Sequence, residues 1–291
     1  MLFALVSNGA LLTPEQPDTR VPWWSFSKTV LAAAALTLVR DRLIKLDDRV
    51  TEGPFTLRQL LRHEAGLADY SELAEYHVAV TRNEAAWSAD EMLQRLDASR
   101  LRYTPGDGWR YSNVGYLFIA RLIERTTGLS LADALAQRIF SPLGLSGVRI
   151  AQTHADLADV NMGRATDYDP GWVYHGLLAG PLAEAALCLN RLLTGDLLPP
   201  SLLRQMQTVR TLGGPIPGSP WTSPGYGLGL MHGGVEGQRM LSGHTGAGPG
   251  SVVAVYQCAS DADAVSCCAV FDEDANEGAV EAEVVKHLSI G

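Results

Sequence analysis

Lysine is scarce in this chain. Of its 23 basic residues only Lys28, Lys45 and Lys286 are lysine, and arginine supplies the rest. No stretch concentrates them and the formal net charge is −9, so the footprint of a nucleic-acid binder is missing. Cysteine is rare too. Four in 291 residues, with no CxxC pair, argue against a disulfide scaffold and against a cysteine-held zinc site. Adjacent Cys267 and Cys268 lie in the apolar run VSCCAVF and read as small buried strand residues. Long hydrophobic runs are absent: Val30 to Val39, the longest, is about half a membrane span. The start, MLFALVSNGALL, carries no basic leader region, so no membrane association is expected, and a cytoplasmic location if this is the whole natural chain, periplasmic or secreted if its N-terminus was trimmed. His63-Glu64 lacks the second histidine of HExxH, and no G-x-S-x-G occurs, which disfavours zinc hydrolases and α/β-hydrolases. Gly246 to Gly250 is not a dinucleotide loop, because Pro249 and an apolar strand pattern follow where a helix would have to start. No metal and no cofactor are expected.

The composition that remains, 46% hydrophobic and 19% charged, suits a protein with a large core. LFALVSNGALLT reads as a hairpin turning at Asn8-Gly9, where both residues tolerate positive φ. TVLAAAALTLVRDRLIKL has charge only near its end and reads as a helix buried nearly all round. From residue 55 to about 210 leucine, isoleucine and phenylalanine recur at three- and four-residue spacing, with Ser88 and Ser130 as N-caps and Gly128 as a C-cap. After a Gly- and Pro-rich loop, YGLGLMHGG, GQRMLSGHTG, GSVVAVYQC and VSCCAVFDE read as strands and EGAVEAEVVKHLS as a terminal helix. Strand patterns at both ends imply one shared sheet. The expected fold is α+β and two-lobed: residues 1–24 and 212–291 form an antiparallel sheet lobe with the terminal helix, 25–211 a mainly helical lobe, and the site lies in the cleft between them.

Three short motifs carry chemistry. Ser25-Phe26-Ser27-Lys28 opens the buried helix, and residues three apart share a helix face. A serine hydroxyl needs a base, and a lysine drawn into apolar surroundings loses affinity for its proton. Tyr111-Ser112-Asn113 follows a Pro-Gly-Asp-Gly turn. A tyrosine near an ammonium is a better proton shuttle, since the cation stabilises phenolate, and Asn113 can donate to a substrate carbonyl and hold Lys28. Asn113 as a helix N-cap is the plainer alternative. His244-Thr245-Gly246 precedes Ala-Gly-Pro-Gly and a strand; its glycines would let substrate lie along the backbone, and the amide of Ala247 could pair with that of Ser25 as an oxyanion hole. Chance alone gives the first motif in roughly one chain in five, the second in roughly one in a hundred and the third in roughly one in twenty-five, so the three together arise in roughly one in ten thousand. That conjunction outweighs the structural alternatives.

In this order the motifs resemble the penicillin-recognising serine hydrolases. Tyr-x-Asn with His-Thr-Gly is most similar to the group of class C β-lactamases, β-lactamase-fold esterases and D-stereospecific peptidases. LLRHEAGL, YSNVGYLFIARLIERTTG, IFSPLGL and YGLGL agree, and the likeness runs from about residue 23 to 256. It implies a two-lobed fold and an acyl-enzyme on Ser25, with Lys28 and Tyr111 as the base pair and a small-molecule ester, amide or lactam as substrate. His244 stands where the lactamases have lysine. An imidazole with pKa near 6.5 is mostly neutral at pH 7, which favours an uncharged ester or amide over a penicillin and would raise activity on anionic substrates below about pH 6.5. A β-lactamase or D-Ala-D-Ala-type peptidase is the alternative enzyme, and a penicillin-binding sensor that acylates without turnover the alternative of another class. Pro181-Leu182 and Glu64-Ala65 replace hydroxyl residues common in relatives. Among the aromatics, Trp23 and Trp24 either shape a pocket or pack under the helix. Trp109, Tyr168, Trp172 and Tyr174 fall in loops that could rim the cleft, with Tyr168 and Trp172 in ATDYDPGWVYHG as the expected substrate contacts.

Overall fold

Asn8 and Gly9 adopt φ of 48° and 80°, the left-handed pair that a two-residue hairpin needs. They join β1 (Leu2–Ser7) to β2 (Ala10–Leu11), as the sequence predicts. A computed structural model describes residues 1–13, 19–237, 239–259, 265–274 and 276–289. After the hairpin come β3 (Arg20–Pro22), a 3-10 turn (Trp24–Phe26), α1 (Ser27–Arg40), α2 (Leu57–Leu61), α3 (Ala74–Thr81), α4 (Ala89–Arg95) and α5 (Asn113–Thr127). The middle of the chain continues with α6 (Leu131–Leu135), β4 (Arg149–Ala151), β5 (Leu177–Pro181), α7 (Leu182–Thr194) and α8 (Pro200–Gln207). The last part holds β6 (Arg210–Thr211), β7 (Trp221–Ser223), β8 (Gly225–Tyr226), β9 (Met231–Val235), β10 (Arg239–Gly248), β11 (Ser251–Ala259), β12 (Val265–Asp272) and α9 (Glu277–His287).

The main sheet runs β2-β1-β12-β11-β10-β9-β8-β6, with β7 paired to β9. β1 pairs antiparallel with β12, so the two chain ends do share one sheet. Both of its faces are covered, which is why its central strands read as continuous apolar runs. Val253, Val255, Cys267, Ala269 and Phe271 join the core that contains α1 and α7, while Val252, Ala254, Tyr256, Cys268 and Val270 pack with Val280 and Val284 of α9 and with Leu288 just past its end. The adjacent cysteines thus face opposite layers.

Residues 27 to 38 of α1 are all buried, as its Ala/Leu composition predicts. Ser88 and Ser130 cap α4 and α6, and Gly128 (φ 69°) closes α5. Three features differ from the sequence reading. A second small sheet, β3-β5-β4, crosses the span read as helical. Within that same span α7 packs on β1, β11 and β12, so it covers the sheet. YGLGL is mostly an irregular loop: β8 stops at Tyr226, and Gly229 tucks against Ala32 of α1, where a side chain would collide.

Candidate active site

Ser25 sits in the 3-10 turn that leads into α1, and β5 grips the chain on both sides of it. Trp23 N–H donates to the Leu178 carbonyl at 2.8 Å, and Leu178 N–H donates to Ser27 Oγ at 3.2 Å. Trp24 has φ 38°, a left-handed conformation that costs a bulky residue about 1–3 kcal/mol and persists only where packing enforces it. The packing is visible: Trp24 Nε1 donates to Ser251 Oγ at 3.0 Å, and its ring lies against Gly248, where a Cβ would stand 2.5 Å away. At Gly246 a Cβ would come 2.5 Å from Ser25 N and 2.7 Å from Trp24 Cβ. The glycines of His-Thr-Gly-Ala-Gly therefore admit the nucleophile's own turn.

Ser25 Oγ accepts a hydrogen bond from Tyr111 Oη at 2.8 Å and lies 3.1 Å from Lys28 Nζ. Lys28 is fully buried, and that desolvation lowers its pKa to about 7 against a smaller opposing pull from Asp69. Near neutral pH both forms are present: the ammonium donates to Ser25 Oγ, and the free amine can accept its proton. Burial pushes the Tyr111 phenol well above 10, with the bond to Ser25 opposing. The expectation that a lysine cation eases Tyr111 ionisation fails, because desolvation dominates.

Ser112, not Asn113, caps α5: its Oγ accepts from Gly115 N–H at 3.3 Å and donates to the Ala68 carbonyl at 2.8 Å. Asn113 is the first helical residue. Its backbone N–H donates to Asp69 Oδ2 and its Nδ2 to Asp69 Oδ1 at 3.3 Å. Asp69 therefore takes the amide that the sequence reading assigned to Lys28, and the second neighbour of Lys28 is His175, whose Nε2 is 3.3 Å from Nζ.

His244 is buried between Tyr226 and its own strand. A carbonyl only accepts, so the 2.7 Å contact with Thr245 O places the proton on Nδ1, and Nε2, 3.0 Å away, accepts from Tyr226 Oη. Desolvation, then repulsion from Lys28, lowers its pKa to about 3. The imidazole stays neutral, as expected, but far more firmly than its ordinary pKa suggests. The anticipated gain of charge below pH 6.5 is removed.

Ser25, Asn113 and Ala247 line two adjoining compartments. The wide one, about 1260 Å³, is bordered by Trp109, Tyr226 and His244 and by the carboxylates of Asp69, Glu72, Glu277 and Glu281. Arg110 is the one arginine or lysine among its lining residues, and it is paired with Glu72 at 2.9 Å. The narrow one, about 280 Å³, is walled by Trp24, Tyr70, Tyr76 and Tyr168 and closed by His175. Tyr168 thus borders the cleft. Trp172 does not: it is buried behind it, edge-on to Tyr76 and Trp87, with Nε1 donating to the Glu84 carbonyl at 3.0 Å.

The model of the family described as Beta-lactamase matches residues 1–260. The chain belongs to the Beta-lactamase family. It is 28% identical over 290 residues to the D-aminopeptidase of Brucella ovis, with 91% of this chain and 52% of the relative covered, so it spans about half the length of that protein. The D-amino acid amidase from Ochrobactrum anthropi SV3 superposes with a TM-score of 0.80 at 23% identity, covering 99% of this chain and 94% of the other. The octameric penicillin-binding protein homologue from Pyrococcus abyssi gives 0.79 at 19% identity, with 99% and 72% covered. These likenesses bear out the two-lobed β-lactamase/transpeptidase-like fold. Among the described residues, no helix is long and apolar enough to cross a membrane, and no three His, Cys, Asp or Glu side chains are placed to share a metal ion.

In this member of the Beta-lactamase family two histidines that the sequence reading left without a role stand at the centre. His63 has φ 59°, its Nδ1 accepts from Ser112 N–H at 3.1 Å, and its ring lies 4.3 Å from that of Tyr111. It braces the Tyr-Ser-Asn segment from behind. The motif LLRHEAGL held the only signal for it. His175 had none, since a lone histidine in an aromatic loop looks like many others.

Proposed function

We propose that this protein cleaves the amide bond of a small substrate bearing a free ammonium, such as a D-amino-acid amide or short D-peptide, through an acyl-enzyme on Ser25. The observation that carries the reading is Ser25 Oγ held between Lys28 Nζ at 3.1 Å and Tyr111 Oη at 2.8 Å, where the two compartments meet. Neutral Lys28 takes the Ser25 proton as Oγ attacks the carbonyl carbon. The oxyanion is stabilised by the amides of Ser25 and Ala247, a pairing that the close packing of Gly246 against Ser25 N supports. Protonated Lys28 and the Tyr111 phenol return the proton to the leaving nitrogen, and water then releases the acid by the reverse sequence. Asn113 faces both compartments and supplies a donor for the substrate carbonyl. His244, neutral and already bonded on both nitrogens, orders Tyr226 and offers no charge to a carboxylate.

The sign of the cleft supports the substrate class. Four carboxylates and one paired arginine favour an ammonium and disfavour the carboxylate of a penicillin. The relatives named D-aminopeptidase and D-amino acid amidase point the same way. The test pairs D- and L-phenylalanine amide with a chromogenic short-chain ester and a chromogenic cephalosporin. D-amide turnover that disappears in Ser25→Ala is expected. One mass adduct without turnover would make the protein a binder, and no adduct on Ser25 with a serine-reactive phosphonate would sink both.

A further inference from the structure

Lys28 has an unusual set of neighbours for a buried cation. Its Nζ meets Ser25 Oγ at 3.1 Å and His175 Nε2 at 3.3 Å, and it lies 5.0 Å and 5.7 Å from the ring centres of Tyr111 and Tyr116. Asp69 acts on it only at longer range, and His63 and His244 are the remaining titratable groups that feel its charge. Among the described residues, no carboxylate appears among its direct contacts. His175 comes from the turn before β5, which Gly176 closes at φ 93°. It is 2% exposed, and its Nδ1 is buried with no hydrogen-bond partner among the described residues. A histidine kept dry with one nitrogen unanswered costs about 1–3 kcal/mol, so the nitrogen that is answered should repay it.

We propose that His175 is a positioning residue for Lys28: its Nε2 accepts a hydrogen bond from Nζ and so turns the lone pair of the free amine toward Ser25 Oγ. The proposal rests on the reading of Lys28 as the base. A free amine has two N–H donors and one lone pair, and it rotates about its stem unless a donor is anchored. Tyr111 and Tyr116 present ring faces, which attract the ammonium but do not orient an amine. Ser25 is the group to be deprotonated. Among the described residues, His175 is thus the one direct neighbour able to accept an N–H without competing for the reaction. The tautomer follows: the proton must sit on Nδ1, because an Nε2–H would donate to the same lone pair that Ser25 needs. Burial and the nearby cation hold His175 well below its ordinary pKa, which keeps Nε2 an acceptor.

The rate at which a small serine-reactive phosphonate labels Ser25, followed from pH 5 to 9, reads this without knowledge of the natural substrate. In His175→Phe the volume is kept and the acceptor lost. The plateau rate should fall about tenfold or more, and its midpoint should move to lower pH by about one unit, because the ammonium has lost a partner. In His175→Gln, whose Oε1 can accept at the position of Nε2, the rate should stay within about threefold and the midpoint should return. A Phe variant with the wild-type melting temperature, plateau and midpoint overturns the proposal. So does a Gln variant impaired more than tenfold, which decides the matter even if the Phe variant does not fold. Failure of the Lys28 reading is separable: wild-type labelling would then show no rise with pH near 7, whatever stands at position 175.

Discussion

The main sheet and the first turn of α1 are built by opposite rules. In β11 and β12 the residues alternate between two apolar layers, and buried Tyr256 finds Thr245 Oγ1 at 2.8 Å. Around Ser25 the core is full of groups that a core should avoid. Lys28, His63, His175 and His244 are all buried, Trp24 and His63 hold left-handed backbones, and His63 Nε2 and His175 Nδ1 find no protein partner among the described residues. The sheet is optimised for burial. The turn gives up stability to hold a lysine close to neutrality beside a serine.

Replacing the lysine breaks that contrast most sharply. Lys28→Met keeps the length and removes the charge, so amide turnover should fall by about a thousandfold or more while the protein becomes more stable. The sign follows from the pKa of about 7 in the folded protein against 10.5 as the ordinary value. Between those values the unfolded chain holds a proton that the folded one lacks, so wild-type stability rises with pH across the window. At and below pH 7 the full penalty applies, about 5 kcal/mol at most. The gain in Tm for Lys28→Met should therefore be greatest at and below pH 7 and fade toward pH 10. An unchanged or lower Tm at pH 6.5 would show that Lys28 is not held against its charge. In the wild type, activity should rise through a midpoint near 7 as the amine is freed, a profile readable from kcat/KM.

The same contrast explains what could be read from the sequence. Apolar spacing fixes the hairpin at Asn8-Gly9, the all-buried α1 and the four late strands, because each depends on local pattern and a burial period. Ser25, Lys28 and Tyr111 were legible because three motifs recur together. Asn113 lines the same two compartments as Ser25, but its Asp69 partner lies 44 positions away in the chain, and no spacing rule joins them. His175 reaches Lys28 across 147 positions. Trp172 looked like a cleft residue because its neighbours are polar and aromatic, yet it packs inward against Tyr76, Trp87 and Tyr174. The small sheet was missed because three-residue strands such as β3 and β4 carry almost no period.

Gly246 links the two regions, since it lies in β10 but touches the Ser25 turn. A methyl there would meet Ser25 N at 2.5 Å, Trp24 Cβ at 2.7 Å and Trp23 O at 3.0 Å, atoms of a segment already clamped by β5. The strand would have to move outward and carry the Ala247 amide with it. Gly246→Ala should lower kcat by about a hundredfold with little change in KM, as expected for a displaced oxyanion donor. A folded variant with kcat within twofold of wild type would remove Ala247 from that role.

The smallest effect on activity is expected where the sheet keeps to its own rule. Val270 is fully buried in the layer shared with Val280, Val284 and Leu288, and its strand neighbours pair through the backbone. Val270→Ala removes two methyl groups and leaves a cavity that β11, β12 and α9 can only partly close, at about 1–3 kcal/mol and a few degrees in Tm. Val270 itself lies on β12, which β11 separates from β10 and its turn toward Ser25. The variant should therefore keep wild-type kcat and an unmoved pH midpoint while melting earlier. If the midpoint moved with stability, the poise of Lys28 would depend on packing throughout the sheet and not on the few residues around its amine, and the division between the two regions would fail.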